Sequence, residues 1–132
     1  MNSYHAAIVG LFLAVATNAV AADAPPAPQD VQIILSNFSF APNNLRLQRN
    51  TSYVLHLMNS APGGHAFSSP ELFAAVNIAP ADRGKIMGGK VEVAAGQTVD
   101  IALTPMTTGT YPIVCTHFLH QSFGMHGQAV IE

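Results

Sequence analysis

Residues 109–131 read Gly109-Thr-Tyr-Pro-Ile-Val-Cys115-Thr-His117-Phe-Leu-His120-Gln-Ser-Phe-Gly-Met125-His-Gly-Gln-Ala-Val-Ile131. Both flanks alternate as strands do. Tyr111, Ile113 and Cys115 share one face of the first flank, and Met125, Gly127, Ala129 and Ile131 share one face of the second. Cys115 and Met125 are thereby expected to point to the core side at the ends of two adjacent strands. The chain's single cysteine, His120 and Met125 therefore bring a thiol, an imidazole and a thioether together on one loop.

Outward from that loop the chain keeps the same punctuation. Val31–Leu35 and Leu45–Leu47 read as short strands about a turn at Pro42-Asn-Asn44, and Thr51–Met58 alternates Tyr53, Leu55 and Leu57 against Val54, His56 and Met58. Lys90–Val93, Thr98–Leu103 and Thr110–Cys115 read as further strands, and Met125–Ile131 as the last. Ser68–Ala75, with its serines and Pro70, predicts one short helix in the middle of the chain, while Ala79–Gly89 reads as a loop. About seven short strands with turn signals every 8 to 12 residues predict an all-β, Greek-key β-sandwich.

The 132 residues suit one domain. Residues 6–22 are almost wholly apolar or small and end Ala19-Val-Ala-Ala22, so residues 1–22 read as a secretory signal peptide. The run is short of the roughly 20 residues a membrane helix needs. Met1–His5 carries no Lys or Arg, and an uncleaved membrane anchor is the alternative reading. The prolines of residues 23–30 make an extended linker, which leaves residues 31–132 as the folded domain. No stable membrane span is expected after signal cleavage.

A formal net charge of −2 offers no basic patch for nucleic acid. One cysteine in an exported chain cannot form an internal disulfide. Cys115 is then buried and inert, paired between chains, or bound to a metal. With a second imidazole, the donors on the loop would make two His and one Cys in a plane with a weak axial Met, the donor set of a blue-copper site.

The run Tyr111, Ile113, Cys115, His120, Met125 and Gly127 resembles the cupredoxin family, the small type 1 blue-copper proteins of the plastocyanin, azurin and auracyanin kind. The likeness extends upstream through Phe38-Ser-Phe-Ala-Pro-Asn-Asn-Leu45 and Asn59 to His65-Ala-Phe67. It implies a cupredoxin-like sandwich holding one type 1 copper ion, with His65, Cys115, His120 and Met125 as the metal ligands. His117 competes with His120, being nearer the cysteine. The spacing of Cys115, His120 and Met125 resembles the auracyanin-like variant and favours His120. His65 follows Gly63-Gly64, which would let backbone approach the site, and is expected on a loop. His56 is assigned to the surface or a second layer, and His126 points away from the site.

Two departures stand out. Ala66 replaces the Asn that often follows the first histidine, although its backbone N–H remains able to reach the Cys115 sulfur. Phe118-Leu119 stands where the family often has Pro-Gly.

The resemblance implies a periplasmic or otherwise exported carrier that shuttles single electrons and docks transiently with redox partner proteins near His120. Phe118, Leu119, Phe123 and Pro62 are expected around the outer edge of that ring. An enzyme is not expected, because multicopper oxidases set histidines immediately before and after the cysteine, and here those positions are Val114 and Thr116. A periplasmic copper carrier or copper-resistance protein is the alternative, with His117, His126, Met58 and Met87 as spare donors.

Overall fold

The computed structural model describes residues 14–132, so residues 1–13 of the stretch read as a secretory signal lie outside the described residues. Residues 14–28 are exposed and form no regular element. The strands are β1 (Gln29–Ser36), β2 (Ser39–Ala41), β3 (Asn44–Leu47), β4 (Tyr53–Asn59) and β5 (His65–Ser68), then β6 (Val76–Ile78), β7 (Lys90–Val93), β8 (Thr98–Pro105), β9 (Gly109–Val114) and β10 (His126–Ile131). Helix α1 (Pro70–Ala74) precedes β6, and a 3-10 helix (Pro80–Lys85) follows it.

The strands form two five-stranded sheets, ordered β2-β1-β4-β8-β6 and β3-β10-β9-β5-β7. Most pairs are antiparallel, but β1 runs parallel to β4 and β3 runs parallel to β10. The chain crosses between sheets repeatedly, as a Greek-key sandwich requires. Alternation places the core: Leu55, Leu57, Ile101 and Leu103 from one sheet meet Phe67, Val91, Ile113 and Ile131 from the other, all buried. Each such aliphatic side chain contributes about 1.5–3 kcal/mol when removed from water.

Several elements depart from the sequence reading. β1 begins at Gln29, where Gln29 and Asp30 pair with Tyr53 and Val54. The expected loop Ala79–Gly89 contains the 3-10 helix and then a tight turn closed by paired bonds between Met87 and Lys90. His65 starts a strand instead of sitting on a loop, and all four residues of β5 are buried. A strand covered on both faces has no alternation to betray it. In α1, Ser69 does not cap the helix with its side chain; its hydroxyl donates to the Pro112 carbonyl at 2.6 Å and ties the helix to β9.

Candidate metal centre

Cys115 follows β9 and Met125 precedes β10, so the loop between them closes one end of the sandwich. The Cys115 amide donates to the Met125 carbonyl at 3.1 Å, which clamps the base of the loop. Inside it, the His120 amide donates to the His117 carbonyl and the Met125 amide to the His120 carbonyl, at 3.1 and 3.0 Å. Leu119 takes the left-handed φ of 61° within that turn. Such a conformation costs a residue with a β-carbon about 1–2 kcal/mol.

His65 comes from the opposite flank. Asn59, buried at the end of β4, donates to the carbonyls of Gly63 and Val93 at 2.8 and 2.9 Å and accepts from the Ala61 amide at 2.9 Å. Three bonds from one side chain thus fix the turn that delivers His65 to β5. Gly63 and Gly64 are not required by close packing: a β-carbon at Gly63 would meet nothing, and one at Gly64 would make an ordinary contact with His117.

Three donors converge. His65 Nδ1 lies 3.1 Å from His120 Nδ1, and Cys115 Sγ lies 4.0 Å from the first and 3.5 Å from the second. The circumcentre of that triangle is about 2.1 Å from every corner, the length of a bond from an imidazole nitrogen to a first-row metal. Among the described residues these three form the group of His, Cys and acidic side chains able to hold a metal ion. His65 and Cys115 are buried and His120 is half-buried. Met125 is fully buried in the adjoining core.

Burial lowers the pKa of His65 below its ordinary 6.5, and the nearby His120 and His117 lower it further. A neutral imidazole keeps the lone pair that a metal needs. The Ala66 amide points at the Cys115 sulfur at 3.4 Å, as anticipated from the sequence. His65 Nε2 has no hydrogen-bond partner among the described residues, so enclosure rather than an acceptor orients the ring.

The other described histidines contribute no donor to the triangle. His117 Nε2 bonds Glu92 at 2.8 Å, His56 bridges Asp30 and Asp100, and His126 is exposed. Phe118, Leu119 and Phe123 are 86%, 46% and 60% exposed on the ligand loop, and Pro62 is exposed beyond β4. Phe38 was not anticipated at the site. It sits in the two-residue β1–β2 turn with φ 62°, its ring edge-on to His120 at 5.2 Å and tilted against Phe123 at 5.1 Å. Glu92 was missed as well. Neither carries a local signal, because each reaches the site through strand pairing rather than chain proximity.

Two sheets closing over a cysteine and two histidines, with a buried methionine at the base of the same loop, define a type 1 copper protein. The family model for the cupredoxin-like domain matches residues 5–131, and the chain belongs to that family. Solved structures agree in fold. Na-dithionite-reduced auracyanin from the photosynthetic bacterium Roseiflexus castenholzii superposes with a TM-score of 0.59 at 18% identity, covering 81% of this chain and 99% of that one. Auracyanin B gives a TM-score of 0.59 at 22% identity, covering 83% and 93%. No curated protein sequence matches significantly.

Proposed function

We propose that the chain is a single-electron carrier in which His65, Cys115 and His120 would hold one copper ion, with the Met125 thioether as a fourth, weaker donor. The observation that supports this most is the donor triangle, whose size suits one ion bonded at all three corners. Copper held by such a set supplies a one-electron redox couple. The chain's part is to keep the donors still, so that a change of oxidation state demands little rearrangement. The Cys115–Met125 clamp, the Asn59 bonds and the paired strand under His65 all serve that end. The Ala66 amide directed at the thiolate stabilises negative charge on sulfur and so tunes the potential.

Phe38 packs edge-on against His120, and with the exposed Phe118, Leu119 and Phe123 it offers an apolar end at which redox partner proteins dock transiently. Weak redox encounters of this kind bury less than about 1,200 Å². Four protein donors leave no coordination position for a substrate, and Val114 and Thr116 flank the cysteine where oxidases set histidines; the reading is therefore a carrier and not an enzyme. It includes export to the periplasm or beyond, with residues 1–22 removed as a signal, a short linker after them and a working domain that opens with β1 at Gln29.

Titration of the mature protein with Cu(II) tests this. One tightly bound ion and an intense thiolate-to-copper visible band are expected, and Cys115→Ser should abolish the band. A wild-type protein that stays colourless at full loading would overturn the reading. Ready Cu(I) release to a chelator with slow electron self-exchange would instead mark a copper carrier.

A further inference from the structure

Pairing between the strand that carries His65 and the strand that leads to Cys115 is confined to Ser68 opposite Val114. Continued in the same antiparallel register, Phe67 would face Cys115 and Ala66 would face Thr116. The ladder stops instead, and the Ala66 amide goes to the Cys115 sulfur. The two strands part where the donors need room, so little backbone bonding spans the gap, and the methyl group of Ala66 cannot bridge it. Its cross-strand partner on the other side is Glu92 of β7. That carboxylate reaches back over the opening to His117 Nε2 at 2.8 Å.

Lys90 Nζ lies 3.1 Å from the other oxygen of Glu92, so the carboxylate is already neutralised and is a poor site for a second cation. His117 in turn touches the site. Its ring centroid is 5.4 Å from that of His120 and 6.3 Å from that of His65, and its carbonyl accepts the His120 amide. A continuous connection thus runs from β7 through Glu92 and His117 to the turn that presents His120.

The geometry points to Glu92 and His117 as a strut, a positioning pair that holds the loop 115–125 at the distance from β5 that the metal requires. The inference rests on the copper reading above and assigns His117 a part in that site without making it a ligand.

Amide hydrogen exchange in the metal-free full chain, together with the rate of Cu(I) loss to a chelator from the loaded protein, tests it. Glu92→Ala and His117→Ala should each speed exchange at the His120 and Met125 amides by about threefold to tenfold, the factor one hydrogen bond supplies. Each should speed Cu(I) loss by a similar factor. The double variant should be no faster than either single, since both remove one interaction. Glu92→Gln keeps an acceptor for His117 and should restore most of the wild-type behaviour. Exchange at wild-type rates in Glu92→Ala overturns the strut. So do additive effects in the double variant, or faster exchange with unchanged Cu(I) loss. If wild-type protein binds no copper, the ligand assignment falls, while amide exchange still judges the Glu92–His117 link by itself.

Discussion

His56 shows how a side chain read as merely peripheral acquires an energetic role from its neighbours. Its Nε2 meets Asp30 at 2.8 Å and its Nδ1 meets Asp100 at 2.7 Å, one carboxylate from each flanking strand of β4. The hydrogen bond to Asp30, then that to Asp100, raises its pKa above the ordinary 6.5. A raised folded-state pKa means that the protonated ring stabilises the fold. That contribution is complete below the unfolded value near 6.5 and is lost as pH rises through the folded value. Metal-free melts over about pH 6 to 9 should therefore show wild type losing its advantage over His56→Gln as pH rises. A constant difference between the two curves would show that the triad contributes nothing through protonation. The sequence assigned His56 to the outer face by alternation alone, but the paired aspartates depend on strand register. Residue-level reading reached the face and stopped short of the partners. The donors behave differently: Cys115 and His120 share one loop, so their approach is legible from spacing, whereas Phe38 and Glu92 arrive from a turn and a strand distant in sequence.

At the scale of elements, period-two patterns revealed the strands with one wet face, and failed where that contrast vanished. β4 alternates buried and half-buried residues along its length, and the sequence reading found it within two residues at its start and one at its end. β2 and β6 are three residues long, too short for a pattern, and β5 is buried throughout. The closing strand, β10, depends on a close approach that only its structure reveals. A β-carbon at Gly127 would overlap the carbonyl oxygen of Asn43, and that oxygen accepts the Gln128 amide at 2.8 Å, so it cannot retreat without breaking the bond. This contact lies where β3 joins β10, two residues from Met125. Gly127→Ala should destabilise the protein by about 1–3 kcal/mol, as overpacking does, and should perturb the visible band of the copper-loaded form more than its size suggests. Chemical denaturation of metal-free protein, paired with the spectrum of loaded protein, separates the two effects. A wild-type midpoint with a wild-type spectrum would mean that β3 shifts freely, contrary to the register described here.

Taken as one body, the molecule sets its donors and its exposed aromatic side chains at the same end of the sandwich and carries little net charge to direct encounters. Leu119 is the useful probe of that end. It is nearly half exposed, it neighbours His120 in sequence, and its left-handed backbone already bears the cost of a β-carbon, so Glu in its place adds no new backbone strain. On the proposed electron-carrier reading, self-exchange brings the apolar ends of two copies together. A carboxylate there must either lose water on contact or face its twin in the other copy, and both oppose close approach. The formal net charge changes only from −2 to −3, so a strong effect would come from the position of the charge. Leu119→Glu should slow self-exchange about tenfold at low ionic strength, with partial recovery in salt as the repulsion is screened within a Debye length of about 10 Å at 0.1 M. The visible band should hardly move, because Leu119 contributes no donor. Line broadening in mixtures of oxidised and reduced protein measures the rate directly. An unchanged rate beside an unchanged spectrum would show that electrons leave by another face, and the apolar end would then need a different partner to account for it.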